Sequence, residues 1–154
     1  LNNSEVNKYL TSVKSKSTHN DLKKYLCEVE SKNFLACYLK EKNLYIGNLR
    51  LYQLKRCIFS YGRLVFPEYQ NMGLGKHMAE FAAKYAFEGN KAKLIIVGNN
   101  KKNVTSGRSK LNAGYKLLDY EKIKKFKFLK NVENADYYYL THCAYLDGKS
   151  FLNT

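Results

Sequence analysis

"GRLVFPEYQNMGLGKHMAEFAAKYAF", Gly62 to Phe87, contains the junction on which the reading of this chain turns. It opens as a strand rich in apolar residues, "CIFSYGRLVF", which Pro67 closes because a proline cannot donate to a ladder. An amphipathic helix follows, with Met78, Phe81, Ala82 and Tyr85 on one side and Lys76, Glu80 and Lys84 elsewhere. Gly89-Asn90 is good C-terminal punctuation. Between strand and helix lie Gln70, Asn71, Met72, Gly73, Leu74, Gly75 and Lys76, without a β-branched residue. Gly73 and Gly75 permit positive φ and leave no side chain in the way. Successive N–H groups from Asn71 to His77 can then converge on one point, where the helix N-terminus adds roughly half a positive charge. That is a cradle for a phosphate or pyrophosphate. A tight turn whose glycines serve only packing is the competing reading.

Upstream, "STHNDLKKYLCEVE" has helical spacing through Leu22, Tyr25, Leu26 and Val29, with Thr18 or Asn20 to cap it. "NFLACYLKE" and "LYIGNLRLYQL" read as two strands joined by the polar turn Glu41–Asn43, an antiparallel hairpin. Downstream, "KLIIVG", Lys93 to Gly98, is short and continuously apolar, as expected for a strand buried on both faces beside a parallel neighbour. Strand, helix and strand in that order make a right-handed crossover. A polar stretch, "NNKKN", leads to a short helix ending at Gly114, and "DYYYLTHCAYL" reads as a last strand.

The 154 residues, 45% hydrophobic, suit one domain with a packed core. No apolar run approaches the roughly 18 residues of a membrane span, and no membrane partner is expected. Cys27, Cys37, Cys57 and Cys143 are scattered and form no CxxC pair, and the three histidines lack ligand spacing, so no metal is expected. Buried free thiols in a reducing cytosol are the expectation. The net charge of +14 favours anionic partners. "YEKIKKFKFLK" interleaves lysines with aromatics, which a nucleic-acid binder would use for stacking, although such a module has no need of a glycine pair between strand and helix.

Gln70-x-x-Gly73-x-Gly75 after Val65-Phe66-Pro67, then Asn103 with Ser106, then Gly114-Tyr115, together resemble the GNAT superfamily of acyl-CoA-dependent N-acetyltransferases. The resemblance spans essentially the whole chain. "LNNSEVNKYL" and "YIGNLRL" look like the branch holding ribosomal-protein and many small-molecule acetyltransferases. It implies an α/β (α+β) fold: a mixed sheet with a central splayed parallel strand pair, flanked by helices. It also implies a single domain over 1–154 in which the family's first strand and helix are missing: either they lie upstream of Leu1 or the domain is trimmed. A cytoplasmic enzyme follows from the same likeness, and a homodimer is compatible with it.

In such a protein acetyl-CoA would lie in the splay. Arg63, Leu64 and Val65 would offer main-chain groups to the pantetheine arm, and the amides of Asn71 to Lys76 would hold the pyrophosphate. Lys76 adds charge, and Gln70, Met72, His77 and Ser106 complete the cofactor set. Asn103 would bond the pantetheine and cap the following helix. The acceptor amine attacks the thioester directly, so the enzyme supplies proximity, a base for the amine and a proton for the thiolate. The family's usual glutamate falls on Gly98 here, and its usual tyrosine on Lys110. Glu68, Tyr61 and His142 are the candidates to stand in. Lys110 could face the thiolate as an ammonium, with a surface position as the competing expectation. The acceptor is expected to be a small amine on an anionic carrier, such as a nucleotide-linked amino sugar. A protein N-terminus is the alternative, and a CoA-binding protein without turnover a further one.

Overall fold

A computed structural model of the chain describes residues 18–21, 23, 33–129 and 133–152. The leading decapeptide and most of the first expected helix, with Cys27, lie outside the described residues. Thr18 does form a helix cap. Its hydroxyl accepts from the Asp21 amide (3.2 Å) while its own amide donates to Asp21 Oδ2 (2.8 Å).

The sheet is built from β1 (Phe34–Leu39), β2 (Leu44–Lys55), β3 (Ile58–Val65), β4 (Leu94–Asn100), β5 (Lys116–Leu117) and β6 (Ala135–Thr141). Its order is β1-β2-β3-β4-β6-β5. All neighbouring pairs are antiparallel except β3 and β4. That parallel pair is in register only at Ile58↔Leu94 and Phe59↔Ile95. Beyond Phe59 the two strands part, and the edges of β3 and β4 that face each other are left without partners. Gly47 fits the β2–β3 ladder because it lacks a Cβ, which would meet the Leu64 carbonyl oxygen at 2.0 Å. There Cys37 pairs Gly47 and Tyr38 pairs Tyr45, so Ile46 is a bulge that shifts the phase of β2.

The helices are α1 (Leu74–Lys84), α2 (Val104–Asn112), α3 (Tyr120–Ile123) and α4 (His142–Leu152). A 3-10 turn, Pro67–Tyr69, precedes α1, and a π turn, Tyr85–Gly89, prolongs it to the expected Gly89-Asn90 stop. α1 packs on β2 and β3 through Met78, Ala79, Ala82 and Ala83, all buried. Phe81 is instead 49% exposed and stacks on Tyr85 at the surface, which corrects the expected apolar face. Alanines let the helix lie close to the sheet, and a phenylalanine there would hold it off. Ile95 and Val97 join this core while Ile96 packs with Leu118, Ile123 and Tyr137 on the opposite face, so β4 is covered on both sides as expected.

Two further expectations change. The last strand stops at Thr141, whose hydroxyl accepts from the Ala144 amide (3.2 Å), and His142 begins α4. Cys143 is exposed, while Cys37 and Cys57 are half-buried, so the described cysteines are free thiols but not core residues.

Candidate functional site

An open cleft of about 1650 Å³ fills the gap between the parting strands, walled by β3, β4, the N-terminus of α1 and the whole length of α2. Its floor is the strand-to-helix junction from Gln70 to Lys76. Gly73 takes φ +77° and Asn71 φ +63°. Gly75 does not take positive φ; it is the second residue of α1, so only Gly73 uses a glycine's conformational freedom here. The Lys76 amide turns back onto the Gly73 carbonyl (3.0 Å). Main-chain acceptors are thus lacking only for the amides from Asn71 to Gly75, a narrower cradle than expected. A Cβ on Gly73 would meet nothing within 4 Å; it would stand in the cleft itself.

Gln70 and Arg63 hold the cradle in place. Gln70 Nε2 donates to the Val65 carbonyl (3.1 Å), pulling the turn back against the end of β3. The Arg63 guanidinium, half-buried behind the turn, donates to the Gly75 carbonyl, the Ser109 hydroxyl and the Ser106 carbonyl, the last at 3.3 Å. One side chain therefore links β3, the first turn of α1 and α2, and brings positive charge beneath the open amides. Only its main chain carried weight in the sequence reading. The Lys76 ammonium lies 3.5 Å from Glu80 and is half exposed.

Opposite the cradle, Asn103 caps α2 by accepting from the Ser106 amide (3.1 Å), which leaves Nδ2 as a donor at the cleft wall. Gly107 brings α2 against β6 so closely that a Cβ would lie 2.3 Å from the Tyr138 hydroxyl. This approach buries Lys110, which is 2% exposed, overturning the expected surface position. Lys110 Nζ donates to Asn99 Oδ1 (2.8 Å), Ser106 Oγ (2.8 Å) and the Ser106 carbonyl (3.3 Å), and lies 5.4 Å from the centre of the Tyr138 ring. Burial, and next the charge of Arg63, push its pKa down to about 7.

The other candidates are not gathered here. Glu68 is exposed on the 3-10 turn, outside the cleft lining, because that turn aims Tyr69 and Gln70 inward instead. Met72 and His77 are exposed outside the lining too, and His77 Nδ1 is 3.1 Å from Glu80. His142 stacks on Phe87 (5.3 Å) beyond the last residue of β6, the end paired with the start of β4, which is opposite the splay. Tyr61 does line the cleft, but burial pushes its phenol up to about 12, so it cannot serve as a base near neutrality. The facing Tyr115 hydroxyl donates to the Ala79 carbonyl (3.2 Å) and interacts with the Tyr61 hydroxyl as well. At Gly98 a Cβ would meet the Tyr137 ring at 2.9 Å, so the aromatic residue paired across from it fills the space a glutamate would need. Among the described residues no Asp, Glu or His lines the cleft, whereas Arg63, Lys76, Lys102, Arg108 and Lys110 do.

The Acetyltransferase (GNAT) family model matches residues 4–106, about two thirds of the chain, and the chain belongs to that family. Solved structures agree on the fold. A GNAT-family acetyltransferase from Bacillus anthracis is 21% identical with TM-score 0.69, the match covering 90% of this chain and 81% of that one. Spermidine N-acetyltransferase from Vibrio cholerae, solved with CoA and spermine, is 16% identical with TM-score 0.75, covering 94% and 87%. An aminoglycoside acetyltransferase solved with coenzyme A and kanamycin is 14% identical with TM-score 0.75, covering 96% and 88%. No match emerges among curated protein sequences. Among the described residues no helix is long and apolar enough to cross a membrane, and no cluster of His, Cys, Asp and Glu could hold a metal ion.

Proposed function

We propose that this chain transfers an acetyl group from acetyl-CoA to the primary amine of a small acceptor whose carrier is anionic or uncharged, such as a nucleotide-linked amino sugar. The observation that carries the transfer is the set of unpaired amides from Asn71 to Gly75, at a helix N-terminus backed by the half-buried Arg63, at the mouth of a splayed parallel pair. These residues fit a pyrophosphate: several N–H groups, a helix dipole and a guanidinium converge on an opening that no side chain obstructs. The partnerless edge of β3 from Gly62 to Leu64 fits an amide-bearing arm, which would pair there as a strand does. The cofactor supplies the activated thioester, and the protein binds, aligns and excludes water.

The nature of the acceptor rests on the cleft's charge. Polyamines and aminoglycosides carry several ammonium groups, and the described lining offers them five basic side chains and no carboxylate. Like charges at close range weaken association, whereas an anionic carrier is drawn in.

Calorimetry with CoA tests the cradle. Gly73→Val forces a β-branched residue into positive φ and places methyls in the cleft, so CoA affinity should fall at least about tenfold. Undiminished affinity would refute the cradle. An acetylation panel of a nucleotide-linked amino sugar, spermidine and an N-terminal peptide tests the acceptor, and fastest turnover of spermidine would refute the charge argument.

A further inference from the structure

The cleft does not end at the plane of the sheet. Phe59, Tyr61, Ile95 and Val97 pack toward α1. Side chains alternate along a strand, so Ser60, Gly62, Ile96 and Gly98 look to the opposite face, and these four line the same opening as the cradle. The opening passes through the gap where β3 and β4 part and continues on the far face. There it is bounded by Tyr52 and Leu54 of β2 on one side and by Phe128, Leu129 and Tyr137 on the other. The two ends differ in chemistry. Arg63, Lys76, Arg108 and Lys110 belong to the end enclosed by α1 and α2, and Lys102 stands at the rim. Among the described residues none that lines the far end is charged, and Arg50, which shares that face, lies outside the lining. The lysine-rich segment finds its place here. Lys122, Lys124, Lys125 and Lys127 are exposed, while Phe126 and Phe128 meet edge to face (5.7 Å) and turn Phe128 and Leu129 toward the opening.

Tyr52 is the accessible ring of this far end. It is 39% exposed, whereas Tyr137 is 8% exposed. Its hydroxyl accepts from Oγ of the buried Ser60 (3.4 Å), its partner across the ladder, which ties the ring beside the gap. Next to it, a Cβ on Gly62 would meet nothing within 4 Å, so bare main chain adjoins the ring. An ammonium entering here would lose water and gain no carboxylate, whereas an uncharged flat ring gives up little hydration and can lie against the tyrosine. Resting on the acetyl-transfer reading, we infer that the far end of the cleft holds a flat, uncharged ring carried by the acceptor, and that Tyr52 is the residue that selects for it. The base of a nucleotide carrier and the aryl group of an arylalkylamine present the same π face to that site. The amine points back to the gap between β3 and β4, and a chamber without carboxylates favours the neutral form that attack on a thioester requires.

The experiment uses two matched pairs of amines on wild type, Tyr52→Leu and Tyr52→Phe. One pair is a nucleoside-diphosphate amino sugar and the same amino sugar 1-phosphate. The other is 2-phenylethylamine and 2-cyclohexylethylamine. Calorimetry on the CoA-loaded protein reads affinity whether or not an amine turns over, and steady-state kinetics with acetyl-CoA separates KM from kcat. In the wild type the member with the flat ring should bind at least about threefold tighter in one pair, and the pair that shows it identifies the source of the ring. Tyr52→Leu should erase about two- to tenfold of that preference, the usual worth of an aromatic contact, through KM with kcat little changed. Tyr52→Phe keeps the ring and should keep the preference. CoA affinity checks that both variants are folded. The inference is overturned if neither pair shows a preference, if Tyr52→Leu leaves the preference intact or weakens both members of a pair equally, or if Tyr52→Phe loses as much as Tyr52→Leu. Acetyl transfer to any of these amines would leave the broader reading standing in each of those cases. A wild type that does not bind CoA would overturn the acetyl-transfer reading, and this inference with it.

Discussion

A lysine that the fold strips of water lowers stability before it contributes anything to chemistry. The folded pKa of Lys110 is about 7 against an ordinary 10.5, so the unfolded chain binds the extra proton more readily. The penalty is fully present below pH 7, shrinks as pH rises, and is gone above the unfolded value. Lys110→Met removes it, since a methionine of similar length fills the space with no charge to desolvate. We expect the variant to be more stable than the wild type by about 1–4 kcal/mol at pH 6, a rise in Tm of at least about 2 °C. That gap should close as the pH approaches 10. Thermal melts across pH 6–10 measure it, and a gap independent of pH would show that the fold does not lower the pKa of Lys110.

At the scale of elements, the distance between α2 and the sheet sets the cleft. Gly107 allows that distance, because a Cβ there would lie 2.3 Å from the Tyr138 hydroxyl and 3.2 Å from the ring carbon that bears it. Gly107→Ala should therefore push α2 outward at a cost of about 1–3 kcal/mol. Asn103 and Lys110 ride on that helix and would move with it, so the drop in Tm should come with weaker CoA binding in calorimetry. An unchanged Tm would show that Tyr138 swings aside. The start and end of α1 were legible because Gly73 and Gly89-Asn90 carry specific backbone chemistry. Its buried face was not: apolar ranking favours Phe81, whereas close approach to a sheet selects Ala79, Ala82 and Ala83. "HCAYL" reads as strand in the sequence because its apolar content fits either period. Thr141, the cap that separates β6 from α4, was the available signal. The side-chain roles of Arg63 and Gln70 depend on partners far along the chain or on a turn's exact path, which no local pattern displays. For Lys110 a hint existed: Ser106 and Gly107, one turn before it, make its helix face small, as a buried face lying close to the sheet requires.

At the scale of the whole molecule, the question is whether a net charge of +14 acts at the cleft or merely coats the surface. The sequence could not decide, since its lysines are spread along the entire chain. The structure narrows the matter by setting Arg63, Lys76, Lys102, Arg108 and Lys110 around one cleft with no described carboxylate among them. Exposed charges interact over about one Debye length, roughly 8 Å at physiological salt, so lysines on the far faces steer little and those at the cleft dominate. Lys102 and Arg108 are exposed at its rim, whereas Arg63 is half-buried and Lys110 buried. They should set the encounter rate with an anionic acceptor, while having little to do with the chemical step. For a nucleotide-linked amino sugar we therefore expect kcat/KM to fall several-fold as ionic strength rises from low to moderate, with kcat nearly constant. Charge reversal at both positions, Lys102→Glu with Arg108→Glu, should flatten that dependence for the anionic acceptor and improve spermidine. Steady-state kinetics on the two proteins at two salt concentrations measure both effects. If kcat/KM for the anionic acceptor does not respond to salt, or if charge reversal leaves the order of acceptors unchanged, then the cleft's cations serve the cofactor alone and the acceptor is chosen by shape.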